Sequence, residues 1–345
     1  MTGPVLGRPH GVEAFGTGMR DDLQRACAAR AGPAARGGWN MGITVGINAP
    51  FGFWEMSPDQ RRLHVGDCVE AGVSRMFMAD HVSFWGGHGV DGPVQLAAAS
   101  QLAAGLEVEI GVYLLALRHP MVAARQISTL CTVADGPVSI GIGVGGEDRH
   151  EFEVCGIDPA TRGRRTDESL GLVQRLLAGQ TIDHEGDFYS LEQAIIRPAP
   201  RPMPLFVVGG RSDAALRRTA RFGQGWLASW VTPGRFADAI ASVEDQAATH
   251  GREVDQWHHG LQIWLGVGPD RATAREAVST AMEDFYHLPF RVFEKYTPYG
   301  TVNGVAEQLQ PWLDAGVTRL NLTVITGSPE GDLEGAGELA AQILG

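Results

Sequence analysis

The chain has 345 residues, of which 44% are hydrophobic and 20% are charged, and its formal net charge is −12. This composition is typical of a globular protein with a large core, and no apolar run approaches the roughly 20 residues that a membrane span needs. The acidic balance argues against nucleic acid or an anionic membrane surface as a partner. Four scattered cysteines without metal-ligand spacing favour reduced thiols in a cytoplasmic protein and predict no metal site.

The first 39 residues differ in composition from the rest of the chain. They are rich in Gly, Ala and Arg and have no sustained hydrophobic period. We expect residues 1–39 to be a poorly ordered extension or an artefact of the start site. Met41 stands directly before the first predicted strand, like a natural start. Residues 40–345 are therefore expected to form one folded domain.

From residue 43 onward, short β-rich runs alternate with helical stretches. The predicted strands cover 43–47, 74–79, 109–115, 138–142, 205–208, 225–229, 260–267 and 318–324. The predicted helices cover 58–71, 93–104, 120–133, 166–177, 212–222, 233–249, 271–285, 302–315 and 332–344. A hairpin or loop is expected around 184–189.

The eight βα units predict the fold class. Strands that alternate with helices pair in parallel, and eight such units close most naturally into a (β/α)8 TIM barrel, here with insertion segments. A doubly wound open sheet is the competing fold. It is disfavoured because Asn48-Ala49-Pro50-Phe51-Gly52 follows the first strand, where that fold would have a glycine-rich dinucleotide fingerprint.

The second strand ends in an acid and an imidazole. Asp80 and His81 follow the apolar run directly, and Trp85 stands four residues after His81. Active sites of parallel barrels lie at the C-terminal ends of the strands, so we expect these side chains to face a pocket. A turn with an N-cap would use the same residue types.

Glycine-rich loops follow two other strands. Gly209-Gly210-Arg211-Ser212 enters a helix, and a helix N-terminus with an arginine suits a phosphate; a plain turn capped by Ser212 is the alternative. Gly145 and Gly146 end a second glycine run, which serves either a ligand or tight packing at the rim. Together the two loops predict a phosphorylated ligand. Tyr113, after the third strand, is expected to face the same pocket.

Charged and aromatic residues near these loops have simpler explanations. Glu147 would be a general acid if a ligand excluded water from it, because burial raises a carboxyl pKa; otherwise it is a solvated rim residue. Glu151 and Glu153 are expected on a solvated face. His258-His259 precedes a strand and is expected on the surface of the opposite rim. A covering lid or core is expected from the stripe Phe285, Tyr286, Phe290, Phe293 and Tyr296.

Several motifs, in this order and spacing, resemble the bacterial luciferase-like monooxygenase superfamily of flavin- or deazaflavin-dependent barrels. The resemblance covers residues 41–345. Its carriers are 42–50, Asp80-His81, 118–126, 141–145, 151–168, 186–189, 204–210 and 223–226. The segment from Asp80 to Trp85 resembles the branch that uses coenzyme F420, notably the glucose-6-phosphate dehydrogenases.

This resemblance implies roles for individual residues. His81 would hold the reactive edge of the deazaflavin ring and Trp85 would wall the substrate side. Glu147 is the nearest counterpart of the family's proton donor, although Gly146 is the alternative equivalent position. The resemblance also implies a non-prolyl cis peptide near Val112-Tyr113-Leu114. The cofactor-binding residues expected in all are Asp80, Val112, Tyr113, Gly145, Gly146, Gly209, Gly210, Arg211 and Ser212.

The implied reaction is hydride transfer between coenzyme F420 and a small organic substrate. One alternative is a monooxygenase that uses reduced FMN and oxygen, with a flavin reductase as partner. Another is a catalytically silent flavin-binding homologue. Glucose 6-phosphate would need a second basic phosphate site, which the sequence does not identify. The oligomeric state stays open, with a homodimer among the alternatives because barrel homologues often pair through helices.

Overall fold

The computed structural model of the protein describes residues 42–345, so the extension expected at 1–39 lies outside the described residues. The strands are β1 (Thr44–Asn48), β2 (Val73–Met78), β3 (His81–Phe84), β4 (His88–Val90), β5 (Glu107–Leu114), β6 (Val138–Gly143), β7 (Ile182–Glu185), β8 (Ser190–Ala194), β9 (Leu205–Gly209), β10 (Gly225–Ala228), β11 (Gly260–Val267), β12 (Tyr299–Gly300) and β13 (Arg319–Ile325).

The α-helices lie mainly between these strands. They are α1 (Pro58–Glu70), α2 (Gly92–Ala99), α3 (Pro120–Val133), α4 (Arg149–Val154), α5 (Arg162–Leu177), α6 (Asp213–Phe222), α7 (Pro233–Thr249), α8 (Arg271–Tyr286), α9 (Val302–Asp314) and α10 (Pro329–Leu344). No helix in this described part is long and apolar enough to cross a membrane.

Eight parallel strands close into a barrel. β1, β2, β5, β6, β9 and β10 pair in succession, β10 pairs with β11, and β13 joins β11 back to β1. The predicted (β/α)8 TIM barrel is therefore confirmed. The insertions are two antiparallel hairpins, β3–β4 and β7–β8. The second matches the expected hairpin, whereas the first was not predicted.

Helix starts follow the capping signals in the sequence. Ser57 caps α1 in a capping box with Gln60, and Pro58 occupies the first turn, which agrees with the helix start predicted at 58. The last helix was predicted to start at 332, which is wrong by one turn. Ser328 caps it and Pro329 opens it, so the start signal lies three residues earlier than the prediction placed it.

The N-terminal half of the barrel interior is filled by charged side chains. Arg319 Nη2 lies 2.6 Å from carboxylate oxygens of both Glu107 and Glu109, and Arg75 Nε lies 3.0 Å from Asn321 Oδ1. Burial works to raise the pKa of Glu107, but the two arginines outweigh it and lower the pKa to about 2. Because this network fills the lower layers, space for a ligand is left at the opposite, C-terminal mouth.

The expectation that His258 and His259 lie on the surface is wrong. They do precede β11 at the N-terminal rim, but both side chains are buried. The His259 ring stacks on Trp257 with centroids 5.1 Å apart, and its Nδ1 accepts from the backbone N–H of Trp226. Burial lowers the pKa of each histidine to about 4.

Candidate active site at the mouth of the barrel

The loops after β2 and β6 are joined by direct hydrogen bonds. The Glu151 carboxylate accepts from the backbone N–H groups of Val82 at 2.7 Å and Ser83 at 3.2 Å, and it lies 3.2 Å from His81 Nδ1. Asp148 Oδ2 accepts from the backbone N–H of Trp85 at 2.9 Å. Two acids of the β6 loop therefore fix the hairpin that carries the predicted imidazole and indole.

The expectation that Glu151 lies on a solvated face is wrong. The short helix α4 turns this residue towards the β3–β4 hairpin, and Glu151 is only 1% exposed, whereas Glu153 on the same helix is exposed as expected. Burial works to raise the pKa of Glu151. The hydrogen bonds from His81 and from the hairpin backbone outweigh that effect and keep the pKa below its usual range.

His81 is held with one ring nitrogen engaged. Its side chain is 19% exposed, its Nδ1 faces Glu151, and its ring packs on Phe84 with centroids 4.2 Å apart. With an ionised carboxylate at Nδ1, the ring donates there, and in the neutral form of the ring Nε2 is the acceptor. His81 also lines a pocket of about 320 Å³ together with Arg118 and residues of the hairpin.

Asp80 is buried and fully occupied by partners within the chain. Its carboxylate forms a bidentate ion pair with Arg118 at 2.6 and 2.8 Å, and it accepts from the backbone N–H groups of Gly92 and Leu114. These bonds tie the end of β2 to the start of α2 and the end of β5. In this structure Asp80 positions the loop beside His81 and presents no unoccupied oxygen to a ligand.

The predicted residues of β5 point in different directions. The Tyr113 side chain is fully buried, its hydroxyl donates to Gln126 Oε1 at 2.7 Å, and Arg118 lies over its ring. Tyr113 therefore packs between β5 and α3, and its side chain is not available at the mouth. The expected cis peptide lies one bond earlier, between Gly111 and Val112. Val112 faces the barrel interior beside Gly209. A Cβ built on Gly209 would stand 3.2 Å from Val112 Cγ1.

Gly145 and Gly146 have backbone angles that only glycine adopts readily, with φ of +60° and +122°. A Cβ on Gly146 would stand 2.9 Å from the Arg162 guanidinium, and one on Gly145 would stand 3.0 Å from the Phe152 ring. Arg162 Nε also donates to the Gly145 carbonyl. Arg162 and Phe152 therefore pack against this turn and leave room only for glycine at both positions. Glu147, the next residue, is exposed at its edge.

The loop after β9 combines a cap with an exposed arginine. Ser212 Oγ accepts from the backbone N–H of Ala215 and so caps α6, while Gly210 has φ +107° and its carbonyl accepts from Trp226. Arg211 is exposed and lies 5.5 Å above the Trp230 ring. It forms no ion pair with any residue that the structure describes. The turn capped by Ser212 is present, and it also leaves a cation at a helix N-terminus.

Aromatic side chains line one side of the mouth. We call Phe51, Phe84, Trp85, Trp230, Trp264, Phe285 and Tyr286 the aromatic rim. Successive ring contacts of 4.2, 5.8, 4.8 and 5.1 Å connect His81, Phe84, Phe285, Tyr286 and Trp230. The rim therefore runs from the candidate imidazole to the ring beneath Arg211. Of the expected aromatic stripe, Phe290 and Phe293 are core residues.

Backbone strain is concentrated at the same rim. Of the four described non-glycine residues with positive φ, Trp85 (35°) and Trp230 (51°) belong to the rim and His287 (53°) packs against Trp85, whereas Gln193 (46°) lies in the hairpin β7–β8. A bulky residue in this region of φ is uncommon and costs on the order of 1–3 kcal/mol. Such strain is typical of functional sites, where the surrounding structure holds a side chain in place.

Two buried polar atoms near the mouth have no hydrogen-bond partner within residues 42–345. They are the indole Nε1 of Trp85, a donor, and Oε1 of Gln262, an acceptor. The Gln262 amide also donates to the carbonyl of Gly111, beside Val112. A planar heterocycle with both donors and acceptors fits this lining, because it would satisfy atoms that are otherwise costly to bury.

Sequence reasoning missed Asp148, Glu151 and Gln262. Glu151 had one usable signal, because it opens the acidic-aromatic pair on which the resemblance partly rests. Asp148 and Gln262 had none, since a single acid in a charged loop and a single amide in a strand do not reveal what they face.

The luciferase-like monooxygenase family model matches residues 69–310, well over half of the chain. The chain belongs to the luciferase-like monooxygenase family. This luciferase-like chain spans between 52% and 64% of the length of the curated relatives that it matches.

The relatives include F420-dependent dehydrogenases and a monooxygenase. An F420-dependent glucose-6-phosphate dehydrogenase of Beutenbergia cavernae is 30% identical over 221 residues, which is 60% of this chain and 64% of the relative. The 4-hydroxyprotoasukamycin monooxygenase of Streptomyces nodosus subsp. asukaensis is 28% identical over 215 residues, 58% of this chain and 57% of the relative. A solved F420-dependent secondary alcohol dehydrogenase, in complex with an F420-acetone adduct, superimposes with a TM-score of 0.74 at 16% identity, covering 88% of this chain and 98% of that one. At that identity the likeness concerns the fold.

Proposed function

We propose that this luciferase-like protein is an F420-dependent oxidoreductase that transfers a hydride between the deazaflavin coenzyme and a small organic substrate. The observation that carries the proposal is the position of the His81 imidazole. Glu151 holds it at the mouth of the barrel, where glycine-rich loops leave the backbone uncovered by side chains. The F420-dependent dehydrogenase among the relatives supports the choice of coenzyme.

The lining offers partners for the whole length of such a coenzyme. Val112 would support the ring, and the turn at Gly145 and Gly146 would let the backbone approach it closely. The N-terminus of α6, with Gly209, Gly210 and Ser212, would bind a phosphate together with Arg211. Asp80 would act indirectly by holding Arg118 and the hairpin, and Tyr113 would contribute only through its backbone.

The bound coenzyme would supply a hydride donor or acceptor, and the protein would orient and protonate the substrate. With Glu151 accepting at Nδ1, the neutral His81 ring would take the proton of a substrate alcohol at Nε2, or the protonated ring would return it to a substrate oxygen. The N–H of Trp85, which has no partner among residues 42–345, would donate to a polar atom of the bound ring. Glu147 would serve as the acid only if ligands displace water from its exposed carboxylate.

A monooxygenase that uses reduced FMN and oxygen is the second candidate. It is favoured by the streptomycete monooxygenase among the relatives, and it would need a flavin reductase as partner. In that case the mouth would bind the flavin in the same place. A homodimer and a cytoplasmic location stay predictions.

An anaerobic titration distinguishes these functions. We expect the full chain to quench the fluorescence of F420 with a micromolar dissociation constant and to bind reduced FMN at least tenfold more weakly. His81→Ala should abolish hydride transfer, whereas His88→Ala, at an exposed position of the same hairpin, should leave it unchanged. Tight binding of reduced FMN with oxygen consumption would replace the F420 proposal by the monooxygenase. Binding without any turnover that depends on His81 would indicate a silent homologue.

A further inference from the structure

We infer that the substrate is a neutral, largely apolar molecule with a planar ring system, bound against the aromatic rim. This inference rests on the proposed function, because it takes the mouth of the barrel as the site of reaction. It concerns the substrate side only.

The rim is built from five separate elements that meet at one place. Phe51 follows β1, Phe84 and Trp85 belong to the first hairpin, Trp230 follows β10, Trp264 lies in β11, and Phe285 and Tyr286 end α8. Gln262 faces the barrel interior, and Trp264 lies two residues later on the same face of the strand. Its ring lies 5.6 Å from Phe285 and 5.7 Å from Tyr286. A chance surface patch would not draw rings from so many segments.

The rim leaves part of its apolar surface open. Phe51 contacts Trp264 and Phe285, yet 53% of it is exposed. Four other rim rings are half-buried, whereas Phe84 and Trp264 are buried beneath them. The contacts within the rim are tilted or edge-on, with interplanar angles from 36° to 81°, so the rings do not cover one another's faces. Clustered, partly exposed apolar surface of this kind often marks a binding site. Because Phe84 packs on His81, a ligand against the rim would also reach the imidazole.

The charges around the rim disfavour an anionic substrate. Burial raises the pKa of the Tyr286 hydroxyl, and the nearby Glu147 carboxylate raises it further, so a negative charge lies at the edge of the rim. Two arginines of the neighbouring loops are already engaged: Arg118 pairs with Asp80, and Arg162 donates to backbone carbonyls. The lone lysine of the chain, Lys295, packs on Tyr296.

These features separate the site from one that binds a sugar phosphate. A hydroxyl-rich sugar needs several hydrogen-bonding groups, and a phosphate needs an uncommitted cation. Arg211 lies at the far end of the rim, where the proposal places the coenzyme's own phosphate. A flat aromatic ketone or alcohol would instead stack on the rings of the rim and direct one oxygen towards His81.

The test compares three probes on the full chain saturated with F420. They are 2-acetylnaphthalene, which is planar and neutral; cyclohexyl methyl ketone, which is neutral but not planar; and glucose 6-phosphate. Tryptophan fluorescence reports the dissociation constants. We expect the naphthyl ketone to bind at least tenfold more tightly than the cyclohexyl ketone, with no binding of glucose 6-phosphate at millimolar concentration.

Matched variants locate the binding surface. Phe51→Leu and Phe285→Leu each keep an apolar side chain but remove one ring, so the naphthyl ketone should bind about three- to tenfold more weakly. Phe222→Leu, a half-buried ring at the end of α6 away from the rim, should have no effect. Phe51 is exposed, so its variant will fold, and the test stands even if the Phe285 variant does not.

The outcomes distinguish this inference from the proposed function. If F420 binds but glucose 6-phosphate binds more tightly than the naphthyl ketone, the substrate class is wrong and the coenzyme assignment stands. If reduced FMN replaces F420 while the ring-dependent binding persists, the coenzyme is wrong and the substrate class stands. Equal binding of the two ketones, or no effect of Phe51→Leu, would overturn the role of the rim.

Discussion

Replacing Glu151 with Gln removes the charge that holds His81 while keeping the size of the side chain. The two hairpin N–H groups, of Val82 and Ser83, both donate to Oε1, at 2.7 and 3.2 Å, and His81 Nδ1 lies 3.2 Å from Oε2 and 3.3 Å from Oε1. The amide oxygen of Gln would keep the place of Oε1, where two N–H groups already donate, so its NH2 group would take the place of Oε2 and face His81 Nδ1. Two donors cannot share that contact, and the ring proton should therefore move from Nδ1 to Nε2.

The structure sets the scale of the effect. One hydrogen bond to a charged group is lost, which is worth about 1.5–3 kcal/mol of unfolding free energy. Hydride transfer should slow on the order of 100-fold, because Nε2 can no longer accept a proton when it carries one. Nitrogen-15 spectra of the histidine rings report the tautomer without any substrate, and urea unfolding at pH 7 reports the stability.

The matched control is Glu153→Gln, an exposed acid on the same short helix. It should change neither the tautomer of His81 nor the stability. Because the folded-state pKa of Glu151 lies below its ordinary value of 4.5, its stabilising effect is full above pH 4.5. It disappears as the pH falls through the lowered value, so wild type and Glu151→Gln should converge in acid. An unchanged tautomer in Glu151→Gln would refute the reasoning.

Three further predictions concern the loops at the mouth and the histidines at the N-terminal end of the barrel. Gly146→Ala should lower the unfolding free energy by about 1–3 kcal/mol in urea titrations, because the new Cβ meets Arg162 at a φ of +122°. Arg211→Gln should weaken F420 binding about 10- to 100-fold, measured by fluorescence quenching, yet leave binding of the phosphate-free deazaflavin fragment unchanged. Since burial lowers the pKa of His258 and His259 from 6.5 to about 4, the melting temperature should fall as the pH drops from 6.5 towards 4, and His259→Gln should flatten that slope.

The barrel was predictable from the sequence because its signals are local. Apolar runs of four to eight residues and caps such as Ser57-Pro58 each fix one element, and the count of eight units then fixes the closed sheet. The hairpin β3–β4 escaped prediction because glycines at its turn weaken the strand pattern of Val82 to Val90.

The side chains around the site were predictable only where strand ends determine them. His81 and Trp85 follow from the end of β2, but the burial of Glu151 depends on which face of the six-residue helix α4 meets the hairpin. An acid among other acids looks solvated until that packing is known. His258 and His259 were misplaced for the same reason, since the sequence identifies the rim on which they lie but not the residues that cover it.

A crystal structure of the full chain with coenzyme F420 is the decisive experiment. We expect the deazaflavin ring to lie between Val112 and His81, with Nε2 within roughly 4 Å of the reacting edge. We also expect the coenzyme phosphate at the N-terminus of α6, beside Arg211. A coenzyme bound away from the mouth, or His81 turned away from the ring, would contradict the proposed function.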